Sequence, residues 1–314
     1  MHLQAAEFLY ETSLFPERVY TFKHALTHEV AYNSLLQERR RVLHARIVEA
    51  LEALAGNRVA EQVERLAYHT FRGEVWDKAM AYYKQSGTKA LERSAHQEAT
   101  ACFEQALEAL SHFPTTHETL SQAIDLRLDL RNSRLVYSDL EGCFNDLHEA
   151  ERLAKILDDA QRLGRVWLYM VIHFAVTGAY DQATAFGQRA LDLAMTSKDT
   201  GFQVMANNYL ATISQCRGEY ARSRDYGRQA RALLEGDLLY ERFGEASFPA
   251  VHSRYGLAIC LAELGEFAEG ETMGTEGLHI AEAVKHPFSL MLALYGCGDH
   301  VPASRRAAPG RVAP

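Results

Sequence analysis

The chain has 314 residues, 47% of them hydrophobic and 24% charged, with a formal net charge of −8. That length fits two modest domains or one long solenoid, and the composition is that of a packed interior. The acidic balance disfavours nonspecific binding to nucleic acid or anionic lipid, no window approaches the roughly 18 apolar residues of a spanning helix, and residues 1–11 lack the basic-then-apolar order of a secretory leader.

In chain order, residues 3–10 predict a short helix, broken at Phe15-Pro16 and followed by an extended Val19–Phe22. Residues 24–36 are helical in pattern. The next helix, over 38–54, puts Leu43, Ile47, Leu51 and Leu54 on one face, the spacing of a core-facing stripe. Its other face carries Glu38, Arg39, Arg40, Arg41 and Arg46, and Gly56-Asn57 closes it.

Residues 59–111 predict three helices. Val63, Leu66, Ala67 and Thr70 mark the first, Trp76, Ala79, Tyr83 and Ser86 the second, and His96, Ala99, Phe103 and Ala106 the third in the same register. After Pro114 come helices over 117–138 and 142–157, ended by Asp158-Asp159.

Three blocks then echo one another: Gly178-Ala-Tyr180, Gly218-Glu-Tyr220 and Gly265-Glu-Phe267, with their glycines 40 and 47 residues apart. A period in that range marks a stacked helical-hairpin array. Trp167, Met170, Val171 and Phe174 match the first-helix spacing of a tetratricopeptide repeat, and Ala183, Gly187 and Ala190 its small second-helix places. Leu210, Ala211, Ser223, Gly227 and Ala230 form a second copy, and Leu257, Ala258, Gly270, Gly274 and Gly277 a third. The expected fold is an all-α, right-handed helical-hairpin solenoid of tetratricopeptide type. From Gly296 the helical period is lost and Gly, Pro, Ala and Arg dominate, the composition of a disordered tail.

The chemical motifs are few. Five cysteines, at 102, 143, 216, 260 and 297, form no Cys-x-x-Cys pair and read as the reduced thiols of a cytosolic protein. His24 and His28 share a helix face, and Glu29 follows, but the order is not His-Glu-x-x-His, and His44 is the one further ligand considered. The expectation is no metal, with these histidines in packing and hydrogen-bonding roles. Arg39-Arg40-Arg41 reads as a solvated helix face or a contact to an acidic neighbour rather than a nucleic-acid patch. No phosphate-cradling Gly-x-x-x-x-Gly-Lys loop, nucleophile elbow or cyclase pattern occurs, so no catalytic residue or cofactor is expected.

The segment Tyr20-Thr-Phe-Lys-His24-Ala-Leu-Thr-His-Glu29-Val-Ala-Tyr32-Asn-Ser-Leu35-Leu, with Arg39-Arg-Arg-Val-Leu43-His44, resembles bacterial signalling ATPases of the STAND class, often fused to class III adenylate or guanylate cyclase domains. Ala60–His69, Gly73–Ala79 and Glu282–Pro287 are also similar to that family. The resemblance implies a winged-helix-like segment at 1–56 that follows an ATPase domain, a repeat array at 57–295 and a tail at 296–314. It implies a cytoplasmic regulatory module whose partners are a protein or peptide, or the family's own ATPase or cyclase domains, with neither nucleic acid nor membrane. A histidine in such a segment senses nucleotide in some relatives. Without the nucleotide domain, His24 would have nothing to sense.

In tetratricopeptide repeats the second, fifth and ninth places of the first helix face the groove. Here those are Arg165, Leu168 and Ile172, then Met205, Asn208 and Thr212, then His252, Tyr255 and Ile259. This lining lacks the Lys/Arg cluster that clamps a terminal carboxylate. Two other readings stay open: a piece of a cyclase or ATP-binding protein whose activity resides in other domains, and a stand-alone repeat scaffold.

Overall fold

The computed structural model describes residues 8–13, 19–243, 245 and 247–298. Residues 1–119 and 120–314 are each a compact unit. Apart from one β-hairpin, the described residues of both are built of α-helices, most joined by short turns, and the fold is a tetratricopeptide-like helical-hairpin solenoid. Among the described residues no helix is long and apolar enough to cross a membrane.

The first unit opens with β1 (Leu9–Ser13) and β2 (Val19–Phe22), antiparallel with Leu9 opposite Phe22 and Tyr10 opposite Thr21. Most of the helix expected over 3–10 lies outside the described residues, and at Leu9-Tyr10 the chain is strand instead. Aromatic and β-branched residues opposite one another favour pairing here, and a helix this short is marginal alone.

Helices α1 (Ala25–Asn33), α2 (Gln37–Ala55), α3 (Val63–Arg72), α4 (Trp76–Glu92) and α5 (His96–Leu110) follow, with a 3-10 stretch at Gly56–Gln62. Val63, Leu66, Ala67 and Thr70 are all buried, as the periodicity predicts. The apolar stripe on α2 is a different matter. Leu43, Ile47 and Leu54 are exposed, Leu54 by 64%, while His44 and Val48 are buried. The buried face is one residue further round because α2 packs through His44 and its backbone near Ala45, which lies against Gly73.

The second unit runs α6 (His117–Val136), α7 (Leu140–Leu157), α8 (Ala160–Val176), α9 (Tyr180–Ser197), α10 (Thr200–Cys216), α11 (Tyr220–Leu233), a 3-10 turn (Gly236–Tyr240), α12 (Pro249–Glu263), α13 (Phe267–Val284) and α14 (Pro287–Gly298). Of the tail expected from Gly296, residues 296–298 end α14 and the rest lies outside the described residues.

The glycines of the three echoes share one conformation: φ is +77° at Gly178, +75° at Gly218 and +78° at Gly265. Each is followed by the same closing bond, from Ala179 N to Phe174 O at 2.8 Å, Glu219 N to Ser214 O at 2.8 Å and Glu266 N to Leu261 O at 2.7 Å. This left-handed closure satisfies carbonyls that a helix end leaves open. Glu74, Ser94 and Ser138 adopt it too, at φ +56°, +59° and +63°. Their closing bonds run Val75 N to Thr70 O, Ala95 N to Ala90 O and Asp139 N to Arg134 O. The array therefore has hairpins at 74, 94 and 138 that the Gly-x-aromatic wording does not mark.

The small second-helix residues do what their size predicts. Ala183, Gly187 and Ala190 are buried, as are Ser223, Gly227 and Ala230. Leu210 seats over Gly187, and Leu257 over Gly227. Side chains at Asp159 and Asp199 cap α8 and α10, accepting from Arg162 N and Phe202 N at 2.9 Å each.

Candidate functional site

The best-formed cavity of the second unit holds about 440 Å³ between α8, α10 and the connection from α11 to α12. Arg165, Leu168 and Tyr169 come from α8, Met205 and Phe202 from α10, and Phe243 and Glu245 from the connection. Equivalent connections are only Asp158-Asp159 and Lys198-Asp199, whereas this one spans residues 234–248.

Three of the residues expected to face the groove, Arg165, Leu168 and Met205, line this cavity. Leu168 is also fully buried in the core between α8 and α10. Asn208 and His252 line a small adjoining recess together with Met205, Tyr209, Glu245, Ser247 and Pro249. Asn208 and Thr212 are tied into the wall. The Asn208 amide donates to Pro249 O at 3.2 Å, and the Thr212 hydroxyl donates to Asn208 O at 3.0 Å and lies 3.3 Å from His252 Nε2. Burial pushes the His252 imidazole down to about 4, so the ring is neutral. Tyr255 stands beside His252 and Tyr295, with ring centres 6.2 and 6.0 Å away. Ile172 and Ile259 are half-buried and border neither cavity nor recess.

The groove's polar chemistry rests on residues outside that set. The Tyr209 hydroxyl donates to Glu245 Oε2 at 2.8 Å. Burial raises the Glu245 carboxyl above its ordinary range, against the opposing pull of Tyr209, Arg131 and Arg165. Burial, then the Glu245 charge, push the Tyr209 phenol up.

Arg131 of α6 is 5% exposed and lies over the Tyr169 ring, 4.5 Å from its centre. Its Nη1 donates to Asn132 Oδ1 at 2.9 Å, while Nε and Nη2 are buried with no hydrogen-bond partner among the described residues. Arg162 also reaches the cavity, but Asp125 and Asp159 hold it: Nε and Nη2 reach Asp125 at 3.1 and 2.9 Å, and Nη1 reaches Asp159 at 2.7 Å.

An arginine corner thus adjoins the groove: Arg162 and Arg165 of α8 line the cavity, and Arg131 of α6 lies over the Tyr169 ring. Its members come from two helices, so no run in the sequence displays it. The signal that could have located it is the length of the 234–248 connection, which departs from the array's otherwise tight turns.

The motifs weighed in the first unit resolve differently. His44 Nε2 lies 2.9 Å from the Tyr32 hydroxyl, and its Nδ1 lies 2.8 Å from His69 Nδ1. His28 sits between the Phe22 and Tyr32 rings. Among the described residues no group of three or more His, Cys, Asp or Glu is placed to hold a metal. Arg41 pairs with Glu38 and Glu74, and Arg40 lies over the Tyr32 ring. Cys102, Cys143, Cys216 and Cys260 are free thiols.

No family model matches this sequence. An uncharacterized protein of Rhizobium meliloti (strain 1021) is 33% identical over 89 residues, which is 28% of this chain and 9% of that protein, so the chain covers under a tenth of that relative. Among solved structures, aspartyl phosphate phosphatase F from Bacillus subtilis superposes with a TM-score of 0.61 at 14% identity, covering 87% of this chain and 73% of that one. A STAND protein with a tetratricopeptide repeat sensor from Pyrococcus horikoshii gives 0.57 at 13%, covering 94% and 53%. A Rap conjugation gene regulator in complex with its Phr peptide gives 0.55 at 16%, covering 69% and 56%. At these identities the likeness is one of fold.

Proposed function

We propose that this chain is a non-catalytic interaction and regulatory module that takes a protein or peptide segment in the groove of its second unit. The observation that carries this reading is the cavity of about 440 Å³ walled by the first helices of two successive hairpins. Apolar side chains at Leu168, Met205 and Phe243 stand beside the polar Arg165, Tyr169 and Glu245. Such mixed, concave walls suit an extended chain. The Rap regulator of similar fold is described in complex with a peptide, which supports the same use of this groove.

The finer reading is a sensor region of a bacterial, cytoplasmic STAND-type ATPase or cyclase. Residues 1–56 would be a winged-helix-like segment next to an ATPase domain, and residues from 57 to the end of α14 the repeat array, followed by a tail. The STAND protein with its tetratricopeptide sensor, of similar fold, supports this. Ligand capture would change the packing of neighbouring hairpins and so bias the catalytic domains. No catalytic residue, cofactor or metal is assigned to this chain.

The test is selection of displayed random peptides on the purified full chain. Selected peptides should lose at least tenfold in affinity on Met205→Arg in the groove and keep it on Met195→Arg, an exposed residue of α9. Equal loss or equal retention on the two variants would remove the groove from the account.

A further inference from the structure

The 234–248 connection brings an aromatic and an acidic residue, two positions apart, into the groove. The Phe243 ring lies against the start of α10, where a Cβ on Gly201 would stand 2.5 Å from its Cδ1. Glu245 accepts from Tyr209 and faces the field of Arg131 and Arg165. Glu245 N donates back to Arg242 O at 2.9 Å, so Phe243 and Glu245 are presented from a turn.

The corner that receives Glu245 is suited to a carboxylate: the Tyr209 hydroxyl donates to it, and Arg131 lies over the ring of Tyr169, which lines the same cavity. Arg131 is almost wholly buried, and its Nε and Nη2 have no hydrogen-bond partner among the described residues. Arg165 is exposed at the cavity wall, with no ion pair among the described residues. Planar guanidinium donors match carboxylate geometry, and a buried donor left open is costly.

We infer that Phe243 and Glu245 are internal occupants of two subsites, and that the ligand is a peptide segment presenting an aromatic residue followed two positions later by Asp or Glu. This rests on the groove being the peptide site. The ligand's aromatic ring takes the place of Phe243 on Gly201. Its carboxylate takes the place of Glu245 beside Tyr209 and the arginines.

Two features make the internal pair displaceable. Phe243 sits at φ +49°, a left-handed conformation that a bulky residue adopts at a cost. Glu245 is held at a raised pKa despite its donor and two cations, so burial outweighs the compensation it receives.

The experiment uses the full chain and one labelled probe, a synthetic octapeptide copying residues 241–248, read by fluorescence anisotropy. Wild type, Glu245→Gln and Phe243→Ala are compared, and a second probe carries Gln in place of its central Glu. The octapeptide should bind Glu245→Gln and Phe243→Ala at least tenfold tighter than wild type. On those variants the Gln probe should bind at least tenfold weaker than the Glu probe. Tyr209→Phe combined with Glu245→Gln should weaken the Glu probe severalfold and leave the Gln probe unmoved. Equal binding to wild type and both variants, indifference to the probe's charge, or no binding at all would overturn the inference. The groove reading is judged separately: displayed peptides that depend on Met205 but ignore Glu245→Gln would keep it and sink the two subsites.

Discussion

The Leu210 side chain lies over the bare Cα of Gly187, where an added Cβ would stand 2.7 Å from Leu210 Cδ2. Forty residues after Gly187, Gly227 receives Leu257 in the same way, with 2.8 Å to Cγ. Each contact joins the second helix of one hairpin to the first helix of the next. Gly187→Ala and Gly227→Ala gain about 1 kcal/mol of helix propensity but overpack at a cost of about 1–3 kcal/mol. The expected net effect is a loss of up to about 2 kcal/mol in urea unfolding followed by far-UV circular dichroism. Gly256→Ala is the control. Nothing lies within 4 Å of its Cβ position, and its φ is ordinary for a helix, so stability should rise by about 0.5–1 kcal/mol.

The turn closures predict opposite signs at equivalent places. Ser138 holds φ +63° with a side chain that disfavours it, while Gly218 holds +75° without penalty. Ser138→Gly should stabilise by about 0.5–1 kcal/mol, and Gly218→Ala should destabilise by about 1–2 kcal/mol. Thermal melts of the two variants, beside the wild type, decide this. A shift of the same sign in both would contradict the shared geometry.

Acid should weaken the second unit through His252. Its folded pKa is about 4, against about 6.5 for a free imidazole. Between those values the unfolded chain binds a proton that the folded chain excludes. The stability is therefore complete above about pH 6.5, declines as the pH falls toward 4, and changes no further below that on account of this group. The expected loss is on the order of 3 kcal/mol. His252→Gln, which retains a hydrogen-bonding group near Thr212, should remove that share of the pH dependence. His69, also lowered to about 4 by burial and then by His44, predicts the same direction in the first unit.

Arg162 is gripped by Asp125 from α6 and Asp159 at the start of α8, and its own pKa is raised chiefly by the bonds to Asp125. Arg162→Ala should cost about 1.5–3 kcal/mol, since it breaks charged, geometrically paired bonds. Arg152→Ala removes an exposed, solvent-screened pair with Glu149 and should leave stability essentially unchanged. Double-mutant cycles with Asp125→Ala and Glu149→Ala measure the two couplings directly.

The repeat was legible in the sequence where its turns use glycine. At Gly178, Gly218 and Gly265 the left-handed backbone is met by the residue that adopts it without cost, so it leaves a mark that recurs in phase. At Glu74, Ser94 and Ser138 the same left-handed turn is made by residues whose identity says nothing of it. The α2 stripe misled for a related reason. Periodicity shows that Leu43, Ile47 and Leu54 share a face, but not which face meets a neighbour, and packing went to His44 and Val48. Arg165, Leu168 and Met205 could be placed from repeat register alone. The Tyr209–Glu245 bond and the Arg131 corner could not, because they join α6, α10 and a connection outside the repeating pattern.

Because Gly, Ser and Glu all serve at the same closure, the chain has a standard splice geometry that tolerates different wording. A forty-residue unit inserted or excised between two such points meets a matching seam at both ends. Growth or shortening of the array by whole hairpins then leaves each surviving joint unchanged, whereas a cut made inside a helix would strand half of a Gly–Leu contact such as Gly187 with Leu210.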